Sequence, residues 1–191
     1  MSQLTKKAIR AALLETLSTH SMDDITVKIV AEQAGISRQT LYNYYYCLMD
    51  VVEDIFRDEL ETSIAGRDTY LSWVEGFRGV LEYFHSRRTL FLHVYRSSCR
   101  EELMRIIERK ERDLVSRGIE QCAADHGFVV SDRDREFMLD LYTDVFMGVL
   151  GRCFRDGLDI DPDYIAGRCG VMMDHSIRDT LRRLESAADN K

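Results

Sequence analysis

A single proline, Pro162, stands in a chain of 191 residues. Proline removes a backbone donor and clashes with the preceding turn, so its near absence leaves long helices unobstructed. Strands do not compete for the chain. Few stretches alternate apolar and polar with period two, and none is bounded by a hairpin signal such as Asn-Gly. Apolar residues make up 45% of the sequence, enough for a substantial core. The expected fold class is all-α, with about nine helices.

Apolar spacing and capping signals place those helices. The first spans about residues 4–19, with Ile9, Ala12, Leu13, Thr16 and Leu17 on one face. Thr26 is the expected N-cap of the second, which carries Val27, Val30, Ala31 and Ala34 at helical spacing and ends at Gly35. A third runs from Ser37 to about Tyr45, a fourth over about 48–64, a fifth over about 69–86 and a sixth over about 89–97. Ser98 and Glu101 read as a capping box opening a helix of about 100–125, with Gly127 as its stop. Ser131 or Asp132 opens a helix to about Arg155, and Asp161-Pro162 opens a last one to about Glu185. The domain organisation expected is 1–47 as one module and 48–191 as a second.

The second and third helices carry the most specific pattern. A helix-turn-helix needs a small residue where its helices cross, and Ala31 meets that need. Its turn needs a residue that tolerates positive φ, which Gly35 supplies. Val30, Ala34, Ile36 and Leu41 would face the crossing. The second helix of such a pair enters the major groove of DNA. Its outward residues suit that task. Ser37 can cap the helix and donate to phosphate, and Arg38 can bond phosphate or guanine. Gln39 and Asn43 can read an adenine edge, and the methyl of Thr40 can touch that of thymine. Tyr42 and Tyr44 can donate to phosphate oxygens. Tyr45 is expected in the core. The net charge of −7 hides an asymmetry: residues 1–46 hold five Lys/Arg against four Asp/Glu, and the remainder holds 21 against 29. A DNA-facing region therefore belongs at the N-terminal end, and repulsion holds the acidic remainder away from phosphate.

The run from Thr26 to Tyr45, TVKIVAEQAGISRQTLYNYY, resembles the signature of the tetracycline-repressor (TetR) family. The resemblance implies an N-terminal three-helix DNA-binding domain. It also implies a helical C-terminal domain that binds an effector and dimerises, usually through the last two helices. The similarity is strong over about residues 5–60. More loosely, FHSRRTLF (84–91) and GVLGRCFRDGL (148–158) resemble a subgroup containing an activator of dihydroxyacetone-kinase genes. Carried over by position, the implied DNA contacts are Thr26, Ser37, Arg38, Gln39, Thr40, Tyr42, Asn43 and Tyr44, and the basic Lys28 joins them as a candidate DNA-binding residue. Three positions depart from the family pattern. Ser21 replaces a glycine in the first connection, Tyr45 a phenylalanine, and Leu48 a lysine that meets phosphate. Lys6, Lys7 or Lys28 can offset that last loss. The implied partners are an inverted-repeat duplex, a second copy of the chain, and an effector that is either a small molecule or a protein. The implied role is a repressor controlled by an effector in the C-terminal domain, with a regulator or activator controlled by a protein partner as the alternative.

Other classes find less support. No phosphate-binding Gly-rich loop, nucleophile elbow or metal-ligand spacing occurs, so neither an enzyme nor a cofactor or metal is expected. Five scattered cysteines suit free thiols in a reducing cytoplasm. No secretory signal and no uncharged apolar run of spanning length is found, so a bacterial cytoplasmic location is expected. Trp73, Phe77, Phe84, Phe91, Met104, Met138, Tyr142 and Met147 either line an effector cavity or fill an ordinary core. The last two helices each carry glycines three residues apart, Gly148 with Gly151 and Gly167 with Gly170. Glycine inside a helix costs up to about 1 kcal/mol relative to alanine. A close helix crossing would justify it, so Val145, Gly148, Val149, Gly151, Gly167, Gly170, Ile177 and Leu181 are expected at a dimer interface. The alternative is closer packing within one subunit.

Overall fold

The computed structural model describes residues 2–64, 73–173 and 175–188, and all regular structure among them is helical. Ten α-helices follow in order: α1 (Gln3–Leu17), α2 (Val27–Gln33), α3 (Arg38–Tyr42), α4 (Leu48–Ile64), α5 (Trp73–Ser86), α6 (Arg88–Tyr95), α7 (Arg100–His126), α8 (Asp132–Arg155), α9 (Pro162–Met173) and α10 (Ser176–Ala188). A single 3-10 turn, Met22–Asp24, joins α1 to α2. Among the described residues one more helix is present than the nine expected, because the last expected helix is broken. His175 adopts φ 59°, which no continuous helix accommodates.

Local signals explain most boundaries. The side chains of Thr26, Ser37 and Ser131 accept from backbone N–H groups in the first turns of α2, α3 and α8. Asp161 accepts from Tyr164 N at 2.9 Å and caps α9 ahead of Pro162. Gly127 ends α7 with φ 70°, and Phe128 N donates to Ala123 O, closing the helix with a left-handed cap. The capping box expected at Ser98 and Glu101 is not formed. Helix α7 begins at Arg100, which puts Cys99 and not Ser98 at the N-cap, and Ser98 gives its N–H and its hydroxyl to Asp23, at 3.0 and 2.6 Å.

The chain forms two compact units, Met1–Thr62 with Ser86–Ile106, and Ser63–His85 with Ile107–Lys191. The core of the first joins Ile9, Leu13 and Leu17 of α1 to Val30, Leu41, Val51 and Phe56. Phe56 of α4 meets Phe91 of α6 edge-on at 6.1 Å. Burying each such side chain contributes roughly 1.5–3 kcal/mol. These contacts, with His93 Nδ1 donating to Leu17 O at 2.6 Å, place α4 to Thr62 and all of α6 with the first unit. Compactness thus does not divide the chain at 47/48, where the motif ends.

The second unit has its own core. Phe77 and Phe84 of α5 pack on Phe146 and Phe154 of α8 at 4.9 and 5.2 Å. Ile107, Val115 and Ile119 of α7, Met138, Tyr142 and Leu150 of α8, and Ile177 and Leu181 of α10 are also buried. Arg112 bonds Asp140 at 2.6 Å and also Glu136, tying α7 to α8.

Candidate nucleic-acid interface

α2 and α3 are short, so their relative placement depends on the turn between them. Gly35 takes φ 67°; Ile36 N donates to Ala31 O and Gly35 N to Glu32 O. An added Cβ at Gly35 would meet nothing within 4 Å. The glycine is therefore needed for its backbone conformation and not for space. Val30, Ala31 and Leu41 are buried at the crossing, while Ala34 and Ile36 are half-buried.

The opposite face of α3 is open. Arg38, Gln39, Tyr42 and Asn43 are all exposed, at positions that fall on one side of a helix. Arg38 is bonded to no described residue, and Gln39 Nε2 donates to Asn43 Oδ1 at 3.4 Å. Ser37 Oγ accepts from Thr40 N at 3.0 Å and contacts the Thr40 hydroxyl at 2.9 Å. Thr26 Oγ1 accepts from Ile29 N at 3.3 Å, and Lys28 pairs loosely with Glu32 at 3.9 Å on the surface. Regular helix ends at Tyr42, earlier than the expected Tyr45, although Tyr45 N still donates to Leu41 O.

The tyrosines at the end of α3 divide by environment. Tyr44 is half-buried and its hydroxyl accepts from Ser2 N at 3.1 Å. Tyr46 is 89% exposed. Tyr45 is buried, and its hydroxyl donates to Asp54 Oδ2 at 2.6 Å. Burial first, and then this bond, hold the phenol well above its ordinary pKa. Asp54 is buried too. Burial alone would raise its pKa, but the Tyr45 hydroxyl with Lys6, Arg57 and Arg10 holds it below the usual carboxylate value. Lys6 and Arg10 each lie 3.8 Å from that carboxylate, and Arg57 bonds it directly.

This cluster fastens the end of α3 to α4 and α1. It also occupies Lys6, which the sequence offered as a phosphate contact in place of the missing lysine at Leu48. Leu48 itself is buried. Asp50 accepts from Tyr46 N and Cys47 N at 2.7 and 3.0 Å, fixing the entry to α4.

The other expected site residues scatter. Phe91 lies in the core of the first unit and Met104 within that unit, whereas Phe77, Phe84, Met138 and Tyr142 are buried in the second. Met147 is half-buried in the second unit, and the side chain of Trp73 lies outside the described residues.

The expected interface set divides as well. Val145 and Gly148 are exposed, and Val149 and Gly167 are half-buried. Gly151 is buried, and Ile177 and Leu181 are buried within a single chain, where they complete its core. They have little surface left to give a partner. Gly170 serves packing inside the subunit, because an added Cβ would lie 3.0 Å from Val74 of α5. Phe137 and Leu141 extend the exposed apolar row of Val145 along α8, and Val171 and Met172 stand exposed on α9.

An all-helical chain with a capped helix-turn-helix near its start has the architecture of a helical transcriptional regulator. Residues 72–175, more than half of the chain, match the family described as the transcriptional regulator C-terminal region, of TetR type, and the chain belongs to that family. Two curated regulators are similar in sequence. The uncharacterized HTH-type transcriptional regulator YxbF of Bacillus subtilis (strain 168) is 34% identical over 61 residues, covering 32% of this chain and 16% of that protein. The HTH-type dhaKLM operon transcriptional activator DhaS of Lactococcus lactis subsp. lactis (strain IL1403) is 23% identical over 94 residues, 49% of this chain and 50% of that one. The matches thus span half or less of those relatives' lengths. Two solved structures share the fold. The dihydroxyacetone kinase operon activator DhaS superposes with TM-score 0.60 at 16% identity, covering 97% of this chain and 98% of the other. A TetR transcriptional regulator from Rhodococcus sp. RHA1 gives 0.54 at 13%, covering 94% and 96%.

Proposed function

We propose that the chain is a dimeric, sequence-specific DNA-binding regulator of the bacterial cytoplasm, which reads an inverted repeat with the outward face of α3. The observation that carries this is the split of α3. Arg38, Gln39, Tyr42 and Asn43 face solvent while Leu41 is buried, on a helix held by the Ser37 cap and the Gly35 turn. Base-edge donors and acceptors with little formal charge suit specific readout. Thr26, Lys28, Ser37, Thr40 and Tyr44 flank that face as candidate phosphate and thymine contacts.

One such helix covers only a few base pairs, so specificity calls for two half-sites related by a two-fold axis. The exposed row of Phe137, Leu141, Val145 and Gly148 on α8, with Val171 and Met172 on α9, is the surface we assign to the second copy. The chain acts by binding and not by catalysis. Its default action is repression, relieved by an effector held in the C-terminal domain, residues 48–191. Similarity to a curated operon activator favours activation as the second reading. Measuring transcription from a bound promoter with and without the protein separates the two.

The test is selection of duplexes from a random pool by the full chain, followed by affinity measurement on the winner. Arg38→Ala with Tyr42→Ala should abolish specific binding and leave the helical circular dichroism unchanged. Unchanged operator affinity in that double variant overturns the assignment.

A further inference from the structure

Two polar groups in the second unit are buried with no described partner. Glu111 of α7 is 6% exposed, and no described residue donates to or pairs with its carboxyl. Thr143 of α8 is 2% exposed, and its hydroxyl has no hydrogen-bond partner among the described residues. Buried polar groups in folded proteins are almost always bonded, and an unpaired carboxylate is the most costly exception.

The surroundings of Glu111 sharpen the anomaly. It stands in a row of α7 whose other members, Leu103, Ile107, Val115 and Ile119, recur every four residues and are all buried. An aliphatic residue at 111 would complete that row. The adjacent cation, Arg112, is spent on Glu136 and Asp140 of α8. Those same bonds set the register of the two helices, which the short connection after His126 makes antiparallel. Thr143 lies one turn beyond Asp140 on α8, so the two unsatisfied groups occupy neighbouring levels of the α7–α8 pair. One turn further, Phe146 packs on Phe77 of α5 at 4.9 Å. With nothing to offset it, burial pushes the Glu111 carboxyl up to about 7.

We infer that Glu111 and Thr143 are the polar anchors of a binding site inside the second unit for a small protonated organic amine. An ammonium group supplies the positive charge and the N–H donors that the carboxylate lacks, and the Thr143 hydroxyl can accept another. An organic anion would meet the carboxylate with repulsion. A metal ion is a poor fit, since among the described residues no group of three or more His, Cys, Asp or Glu converges. The inference deepens the effector control proposed above and rests on it only for the regulatory consequence.

The experiment follows the melting temperature of the full chain with benzylamine, cyclohexylamine and agmatine as probes. Benzyl alcohol, cyclohexanol, benzoate and cyclohexanecarboxylate serve as neutral and anionic counterparts. At least one amine should raise the melting temperature by several degrees while its neutral and anionic counterparts do not. The shift should vanish in Glu111→Gln and shrink in Thr143→Val. Without any probe, Glu111→Leu should melt above the native chain, because it removes the unpaired carboxyl. No response to any amine, or an equal response in Glu111→Gln, overturns the inference. Operator affinity measured with the same probe keeps the two readings apart. An amine that binds through Glu111 and leaves operator affinity unchanged supports the site and refutes only the effector role.

Discussion

Replacing Tyr45 by phenylalanine removes one hydroxyl and keeps the ring. In the structure that hydroxyl is 2.6 Å from Asp54 Oδ2, and both residues are buried. A hydrogen bond to a charged group contributes about 1.5–3 kcal/mol. Asp54 keeps Lys6, Arg10 and Arg57 after the substitution, so its charge is not stranded and the lower half of that range applies. The expected loss is about 2 kcal/mol, or roughly 4–8 °C in melting temperature for a chain of this size. Urea unfolding at fixed protein concentration measures it, since any self-association ties apparent stability to concentration. A cycle with Asp54→Asn should return a coupling of about 1–2 kcal/mol, as expected for directly bonded residues. The pH dependence follows from the burial of this pair and from the same bond. Asp54 titrates below its ordinary value of 3.8 in the folded chain, so its contribution is whole above about pH 4 and is lost as pH falls through the depressed value. Tyr45 titrates above its ordinary value of 10.0, so the native chain should lose stability relative to Tyr45→Phe once pH exceeds about 10. A Tyr45→Phe variant within about 0.5 kcal/mol of the native chain would refute the reasoning, since that is the scatter of an inert surface change.

Three further outcomes are expected. Gly35→Ala should cost about 1–2 kcal/mol in urea unfolding, all of it from the left-handed backbone, because no atom lies near an added Cβ. Gly170→Leu should destabilise the chain by about 1–3 kcal/mol through its clash with Val74, whereas Gly148→Leu should fold normally and sediment as a monomer at micromolar concentration. A folded Gly148→Leu variant that stays dimeric would place the interface elsewhere. The Ser98 amide should lose its protection, measured against the intrinsic exchange rate at each pH, once Asp23 is protonated. Hydrogen bonds from Ser98 hold that carboxyl below its ordinary value of 3.8, so protection should persist at pH 5 and disappear as pH falls well below 4.

The features that residues within a few positions of one another decide were readable from the chain alone. The Thr26, Ser37, Ser131 and Asp161 caps, the stops at Gly35 and Gly127, and the buried stripes of α1 and α2 all follow from local hydrogen bonding and helical period. So did the exposed face of α3, because its polar residues share one side of a single short helix. Pairings between distant segments were not readable. Nothing around Tyr45 names Asp54 as its partner, and nothing around Ser98 announces that Asp23, 75 residues earlier, will take both its donors. Glu111 sits in the charged run Arg109-Lys110-Glu111-Arg112, which reads as a solvated face, yet the row it belongs to is turned inward. Glycines three residues apart look alike in sequence, but Gly170 meets Val74 and Gly148 meets open space. A residue's spacing sets which face of its helix it occupies. Only the packing of that helix against others decides whether the face meets water, a partner or the core.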